Sequence, residues 1–225
     1  MLSTILSKAK EMAHEATYVA YSRLLPRRSF EFNGSRYPYF YHRYNNTAET
    51  ERCVEIPLAW EFLQRRATPT VLEIGNVLNH YKPFPHTIVD KYETAEGAFN
   101  VDVCDFSPAQ KFDAIVSIST IEHVGWDERP FEAQKALRAI EHLRQMFAPG
   151  GSMFLSFPIG HNETLDAAVR DGILGCTELR GMKRLPRNNW IEAPISELLR
   201  GRLNPPYLHN YPKYRRTQAV IFAYF

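Results

Sequence analysis

Glu122-His123 stands a few residues after the apolar run Ala114-Ile115-Val116-Ser117, with Ser119 and Thr120 between them. An imidazole that titrates near pH 6.5 takes a proton from a hydroxyl or an amine at neutral pH, and the two hydroxyl side chains are near enough to orient the molecule that gives it up. A second imidazole, His161, lies in Gly160-His161-Asn162, after the apolar run 153–157. Asp90 ends Thr87-Ile88-Val89-Asp90, where an ionised carboxylate accepts from both vicinal hydroxyls of a ribose, with Glu93 as the nearby alternative. Gly75 ends Val71-Leu72-Glu73-Ile74-Gly75, and without a Cβ it lets a ligand come close to the backbone. Each has a plainer reading too. His123 can shape a pocket without touching protons, Asp90 can be a solvated turn carboxylate, and Gly75 can be an ordinary strand-ending turn.

What must position these residues is a series of apolar strands, each ending in an acidic, Gly or small polar residue. The spacing suits a parallel sheet that binds a nucleoside cofactor at its carboxyl edge. The pattern predicts strands over 71–74, 87–89, 100–103, 114–117, 153–157 and 178–183, and a last one over 217–225. Helical spacing predicts an amphipathic helix over 2–25 and further helices over 48–66, 130–147 and 195–199. The connection 76–86 contains Pro83 and Pro85 and is too short and broken for a full crossover helix.

The order and content of these segments resemble the class I methyltransferases that use S-adenosylmethionine, over roughly residues 48–160, about half of the chain. In that family the first strand ends in an acidic residue and a Gly loop, here Glu73 with Gly75 and Asn76. The second ends in a ribose-binding carboxylate, here Asp90, and the third is followed by an acidic residue for the adenine, here Asp105, with Phe106 to pack on the ring and Asp102 as a competitor. Phe112 to Val124 matches the fourth strand and the Glu-His-Val segment after it, and Phe147-Ala148-Pro149-Gly150-Gly151 matches the turn before the fifth. The resemblance implies an α/β, Rossmann-like, mostly parallel seven-stranded sheet with helices on both faces, an N-terminal helical extension, and a final antiparallel strand beside the fifth. It implies S-adenosylmethionine as cofactor, Glu73, Gly75 and Asn76 at its methionine end, Ser119 beside it, and His123 as the catalytic candidate.

The chain departs from the family in one place. Where acidic-x-Gly-x-Gly-x-Gly is usual, it has Glu73-Ile74-Gly75-Asn76-Val77-Leu78-Asn79. Asn tolerates positive φ but does not allow the close approach that Gly does. The same gap counts against a nicotinamide dinucleotide, whose pyrophosphate needs a Gly-rich turn at a helix amino end.

At 225 residues, 44% hydrophobic and 23% charged, the chain can bury one substantial core, and its formal net charge of +2 is too small to argue for nucleic acid or membrane by itself. The charge is uneven, because Arg180, Lys183, Arg184, Arg187, Arg200, Arg202, Lys213, Arg215 and Arg216 crowd the last quarter. Cys53, Cys104 and Cys176 are too far apart to suggest a disulfide framework or a CxxC metal site, so no metal is expected and a cytoplasmic setting is. No run of about 18 apolar residues suggests a membrane span.

The domain reading is an extension over 1–47, comprising a helix and an aromatic, basic stretch, followed by a cofactor-binding domain over 48–225 in which 160–214 forms a substrate cap. The N-terminal stripe must cover something: the domain itself, a second copy in a homodimer, or, with less support from its mixed charges, a membrane surface. The functional expectation is methyl transfer to oxygen or nitrogen of a small-molecule acceptor, sugar-like ones included. RNA methylation and a non-catalytic nucleoside-binding partner subunit are the alternatives.

Overall fold

The computed structural model describes residues 12–24, 28–67, 69–200 and 217–225. The parts of the expected first helix over 2–11, and of the expected cap over 201–214, lie outside the described residues. The chain runs through the hairpin β1 (Ser29–Phe32) and β2 (Ser35–Pro38), α1 (Arg52–Gln64), β3 (Val71–Ile74), β4 (Thr87–Val89), β5 (Ala98–Phe99) and β6 (Phe112–Ile118). It continues through α2 (Lys135–Arg144), β7 (Phe147–Pro158), α3 (Glu163–Arg170), β8 (Glu178–Leu185), β9 (Asn189–Glu192), α4 (Ile195–Arg200) and β10 (Ala219–Tyr224).

One sheet carries the fold, in the order β5-β4-β3-β6-β7-β10-β8-β9. The pairings from β5 to β7 are parallel, and β10 is antiparallel to both β7 and β8. Helices cover both faces, which is why β3 is buried along its whole length, Glu73 included. Successive side chains alternate between the two covers. Ile115, Met153 and Leu155 join the core beneath α2, α3 and α4, whereas Val116, Phe154 and Phe222 join the one beneath α1 and the hairpin. Phe32 packs edge-on against Phe222 at 5.1 Å, so the aromatic stretch covers a face of the sheet. The hairpin turns at Asn33-Gly34, both at positive φ, as a tight two-residue turn requires.

The register decides what meets at the carboxyl edge. Ile74 pairs with Val89 on one side and Ser117 on the other, so Gly75, Asp90 and the segment after Ile118 emerge together. The first crossover is indeed abbreviated, with only a 3-10 turn, Leu78–His80, between β3 and β4.

The structure corrects several boundaries. The sheet has eight strands where seven were expected, because β9 folds back on β8. The strand expected over 100–103 is not one. Asn100 Nδ2 donates to the carbonyls of Asp90 and Glu93, and Asp102 opens a turn by accepting the Cys104 amide on its side chain and those of Asp105 and Phe106 on its backbone. The helix expected over 130–147 begins only at Lys135, because Gly125 and Glu132 exchange a backbone bond that holds 125–132 as a loop. The helix over 48–66 shortens to Arg52–Gln64, its first turn taken by a 3-10 segment, Tyr44–Glu49. β7 starts at Phe147, opposite Phe112, and shifts register before Ser152, so the Gly150-Gly151 turn is an irregularity inside a long strand. The hairpin β1–β2, the short β5, the helix α3 and the strand β9 had no expectation.

Candidate functional site

A cavity of about 320 Å³ opens at the carboxyl edge, lined among others by Gly75, Asp90, Asp102, Thr120, His123 and Asp127. That volume is within the range of roughly 300–1,000 Å³ usual for small-molecule sites. Its walls come from the ends of β3 and β4, the turn after β5 and the segment after β6, where the crevice of an open α/β sheet binds its ligands.

Gly75 sits at φ +85°, with its amide donating to Val89 O at 2.9 Å. A Cβ there would come within 2.4 Å of Thr120 Oγ1, so two walls of the cavity meet only because this residue is Gly. Asp90 organises the next wall: Oδ1 accepts the amides of Tyr92 (2.9 Å) and Glu93 (2.8 Å), and Oδ2 accepts that of Asn76 at 3.2 Å. A carboxylate has about four acceptor positions, so Oδ2 retains capacity for a hydroxyl.

Other expected cofactor residues have protein partners of their own. Glu73 is fully buried; Oε1 accepts the amides of Val77 (3.1 Å) and Leu78 (2.7 Å), and Oε2 pairs with His86 Nε2 at 2.8 Å. This carboxylate ties down the loop that follows β3. Asn76 turns its Nδ2 to Glu93 Oε1 at 2.6 Å, locking that loop to the turn after β4. Ser119, at φ +38°, donates its hydroxyl to Glu55 Oε1 at 2.7 Å, behind the cavity. Asp105 and Phe106 line a different depression with Thr87, Phe99 and Pro108. Their competitor Asp102 lines the cavity, along with Val101 and Val103.

Two basic side chains bind Asp102. Lys91 Nζ at 2.8 Å and Lys135 Nζ at 2.5 Å converge on Oδ2, and both also reach Glu128 Oε2. Burial would raise the Asp102 carboxyl, but the two lysines outweigh it and lower it to about 2. Lys91, Lys135 and Glu128 were not singled out from the sequence. Lys91 does adjoin the candidate Asp90, but a charged neighbour in a turn reads as solvated surface until the turns are brought together.

His123 and Asp127 form the opposite wall. Asp127 follows by one turn, with its amide on His123 O at 3.2 Å, and its Oδ2 lies 2.5 Å from His123 Nδ1. His161, brought in by the end of β7, reaches the same oxygen through Nε2 at 3.2 Å. Desolvation pulls the His123 pKa down, but the Asp127 hydrogen bond and the Glu122 charge outweigh it and the net shift is upward. Behind them, Glu122 is buried, with Oε2 unpaired and its pKa raised by burial. Arg52 Nη1 donates to Ile118 O at 2.7 Å and pairs with Glu55, whose burial pushes its carboxyl up to about 7.

Residues 178–192 of the expected cap belong to the sheet, which leaves the His161 loop as the part of 160–200 that reaches this site. Residues 12–24 of the expected first helix are helical and dock through Arg43, which pairs with Glu15 at 2.9 Å and stacks on Tyr18. Among the described residues, no helix is long and apolar enough to cross a membrane.

No family model and no curated relative matches this chain. Solved structures similar to it include the N-methyltransferase NodS from Bradyrhizobium japonicum WM9 with S-adenosyl-L-homocysteine, at 17% identity and a TM-score of 0.45 over 72% of this chain and 80% of that one. They also include the glycopeptide N-methyltransferase MtfA (13%, 0.36, 75% and 88%) and DesVI from Streptomyces venezuelae (18%, 0.34, 43% and 48%). The strand order, parallel through five strands with an antiparallel last strand beside the fifth, is the Rossmann-like α/β arrangement expected from the sequence.

Proposed function

We propose that this protein is an S-adenosylmethionine-dependent methyltransferase acting on oxygen or nitrogen of a small molecule. The observation that carries the reading is the single cavity where Gly75, Asp90 and the His123–Asp127 pair converge. A sulfonium cofactor fits this donor set: Asp90 offers a carboxylate to a ribose, Val101 and Val103 offer apolar walls, and no Gly-rich phosphate cradle is needed. When bound, it supplies an electrophilic methyl group.

The chain's own residues then have limited work to do. Gly75 and Thr120 close the floor, Asp90 sets the position of the nucleoside, and His123 accepts the proton that a hydroxyl or ammonium must lose. The raised His123 pKa makes it a stronger base once deprotonated, and narrows its use to pH above that pKa. RNA methylation has less support. Arg180 is paired with Glu178 and Glu192, Lys183 with Glu197, and Arg184 bonds the carbonyl of Glu49, so much of the basic stretch is already engaged.

The test is transfer of label from methyl-tritiated S-adenosylmethionine into pools of small alcohols, sugars and amines, beside an RNA pool. Labelling in a small-molecule pool that is lost in His123→Ala, with cofactor binding retained, is the expected result. Labelling of RNA alone would move the acceptor to nucleic acid. Cofactor binding without labelling of any pool would favour a non-catalytic subunit.

A further inference from the structure

We propose that Asp127 and His161 are positioning residues for His123: the carboxylate fixes which ring nitrogen of His123 carries the proton, and His161 fixes the carboxylate. The inference rests on the role given to His123 above. An ionised carboxylate can only accept, so His123 Nδ1 at 2.5 Å and His161 Nε2 at 3.2 Å must both donate to Asp127 Oδ2. His123 is therefore held with its proton on Nδ1, and Nε2 keeps the lone pair that can take a proton from an acceptor.

The three residues differ in burial in the way such a division of labour needs. His161 is 4% exposed, whereas the side chains of His123 (47%) and Asp127 (38%) open to the cavity. The buried ring stands edge-on to His123, with centroids 4.3 Å apart, and its loop is anchored on both sides. Gly160 N donates to Asp166 Oδ2 at 2.8 Å, and Asn162 caps α3 while its Nδ2 donates to Glu122 O at 3.0 Å. Asp127 rides on the short segment that carries His123, so that segment and the β7 loop meet at this oxygen. The other charged groups facing His123 are Glu122, with Oε1 3.7 Å from Nε2, and Arg52 from α1. Asp127 is held well below the usual carboxylate range by the two imidazoles, despite the opposing effect of burial, and so stays an acceptor at working pH.

The donor atoms of the trio all lie within 4.8 Å of one another, close enough to receive a divalent cation. Both ring nitrogens instead make hydrogen bonds to one oxygen, which places protons where a metal would need lone pairs.

Long-range proton–nitrogen NMR spectra of the histidine-labelled full chain test this without a known acceptor. The signals are assigned with His123→Gln and His161→Gln, and EDTA is present. The expected result is a neutral His123 protonated at Nδ1, with a titration midpoint above 6.5. Asp127→Asn should shift the proton toward Nε2 and lower the midpoint by about one unit, and His161→Phe should weaken the Nδ1 preference. Asp127→Glu should restore the Nδ1 tautomer, which covers the case in which the Asn variant fails to fold. A wild-type His123 protonated at Nε2, or one indifferent to Asp127, would overturn the proposal. So would ring-nitrogen shifts at both histidines on adding Zn²⁺ in place of EDTA, which would make the trio a cation site. A pairing that stands while His123→Ala keeps full methyl transfer would sink the base role alone, so the two failures are distinguishable.

Discussion

Gly75, Asp90 and Glu55 show how much of this site is decided atom by atom. Gly75→Ala meets both a φ of +85° and Thr120 Oγ1 at 2.4 Å, so urea unfolding should show a loss of about 1–3 kcal/mol from backbone strain alone. Asp90→Ala should weaken S-adenosylmethionine affinity by about 1–3 kcal/mol, because ribose hydroxyls lose their acceptor. Asp90 also holds three amides, so Asp90→Asn is the companion variant: it should retain part of that loop while still losing affinity. Calorimetry that finds affinity unchanged in both would remove Asp90 from the site. Glu55 binds its proton more tightly folded than unfolded, with its pKa raised from 4.5 to about 7. Between those values the native state holds the extra proton, so this group's contribution is fully present below pH 4.5 and is lost as pH rises through 7. Glu55→Gln should remove a slope on the order of 1 kcal/mol per pH unit in that window, read as the difference between the two stability-against-pH curves. Identical slopes would mean that Glu55 is charged in the native protein.

Among the elements, the abbreviated first crossover depends on Glu73. Its buried carboxylate takes two loop amides and pairs with His86, so Glu73→Ala leaves orphaned donors and a broken buried pair. The expected loss is about 3 kcal/mol in denaturant unfolding, and Glu73→Gln should cost less by keeping an acceptor. A Glu73→Ala variant as stable as the parent would show that the loop is held some other way. The sequence was informative about elements whose pattern is local. The runs at β3, β4, β6 and β10 are apolar because both faces of the sheet are covered, and their ends placed Gly75, Asp90 and His123 at one edge. It was less informative where long-range pairing decides. Val101 and Val103 look like strand residues, yet Asn100 and Asp102 find backbone partners that turn the chain away. The two residues of β5 are a strand only because β4 lies beside them. Glu73 and Asn76, expected at the cofactor, also have protein partners that the sequence does not announce, because His86 and Glu93 arrive from elsewhere.

For the whole molecule, the last strand matters most. β10 is buried at every position and joins β7 to β8, so it stitches the parallel half of the sheet, which carries the cavity, to the antiparallel half. Removing 217–225 should abolish cooperative unfolding, and a truncated chain that still melts in one sharp transition would show the two halves to be separable. The central claim concerns the cavity itself. Calorimetric titration of the full chain with S-adenosylmethionine and S-adenosylhomocysteine, with NAD as control, tests it most directly. Saturable one-to-one binding of the first two, with none of the third, is the predicted result. Binding of NAD, or of none of the three, would contradict it.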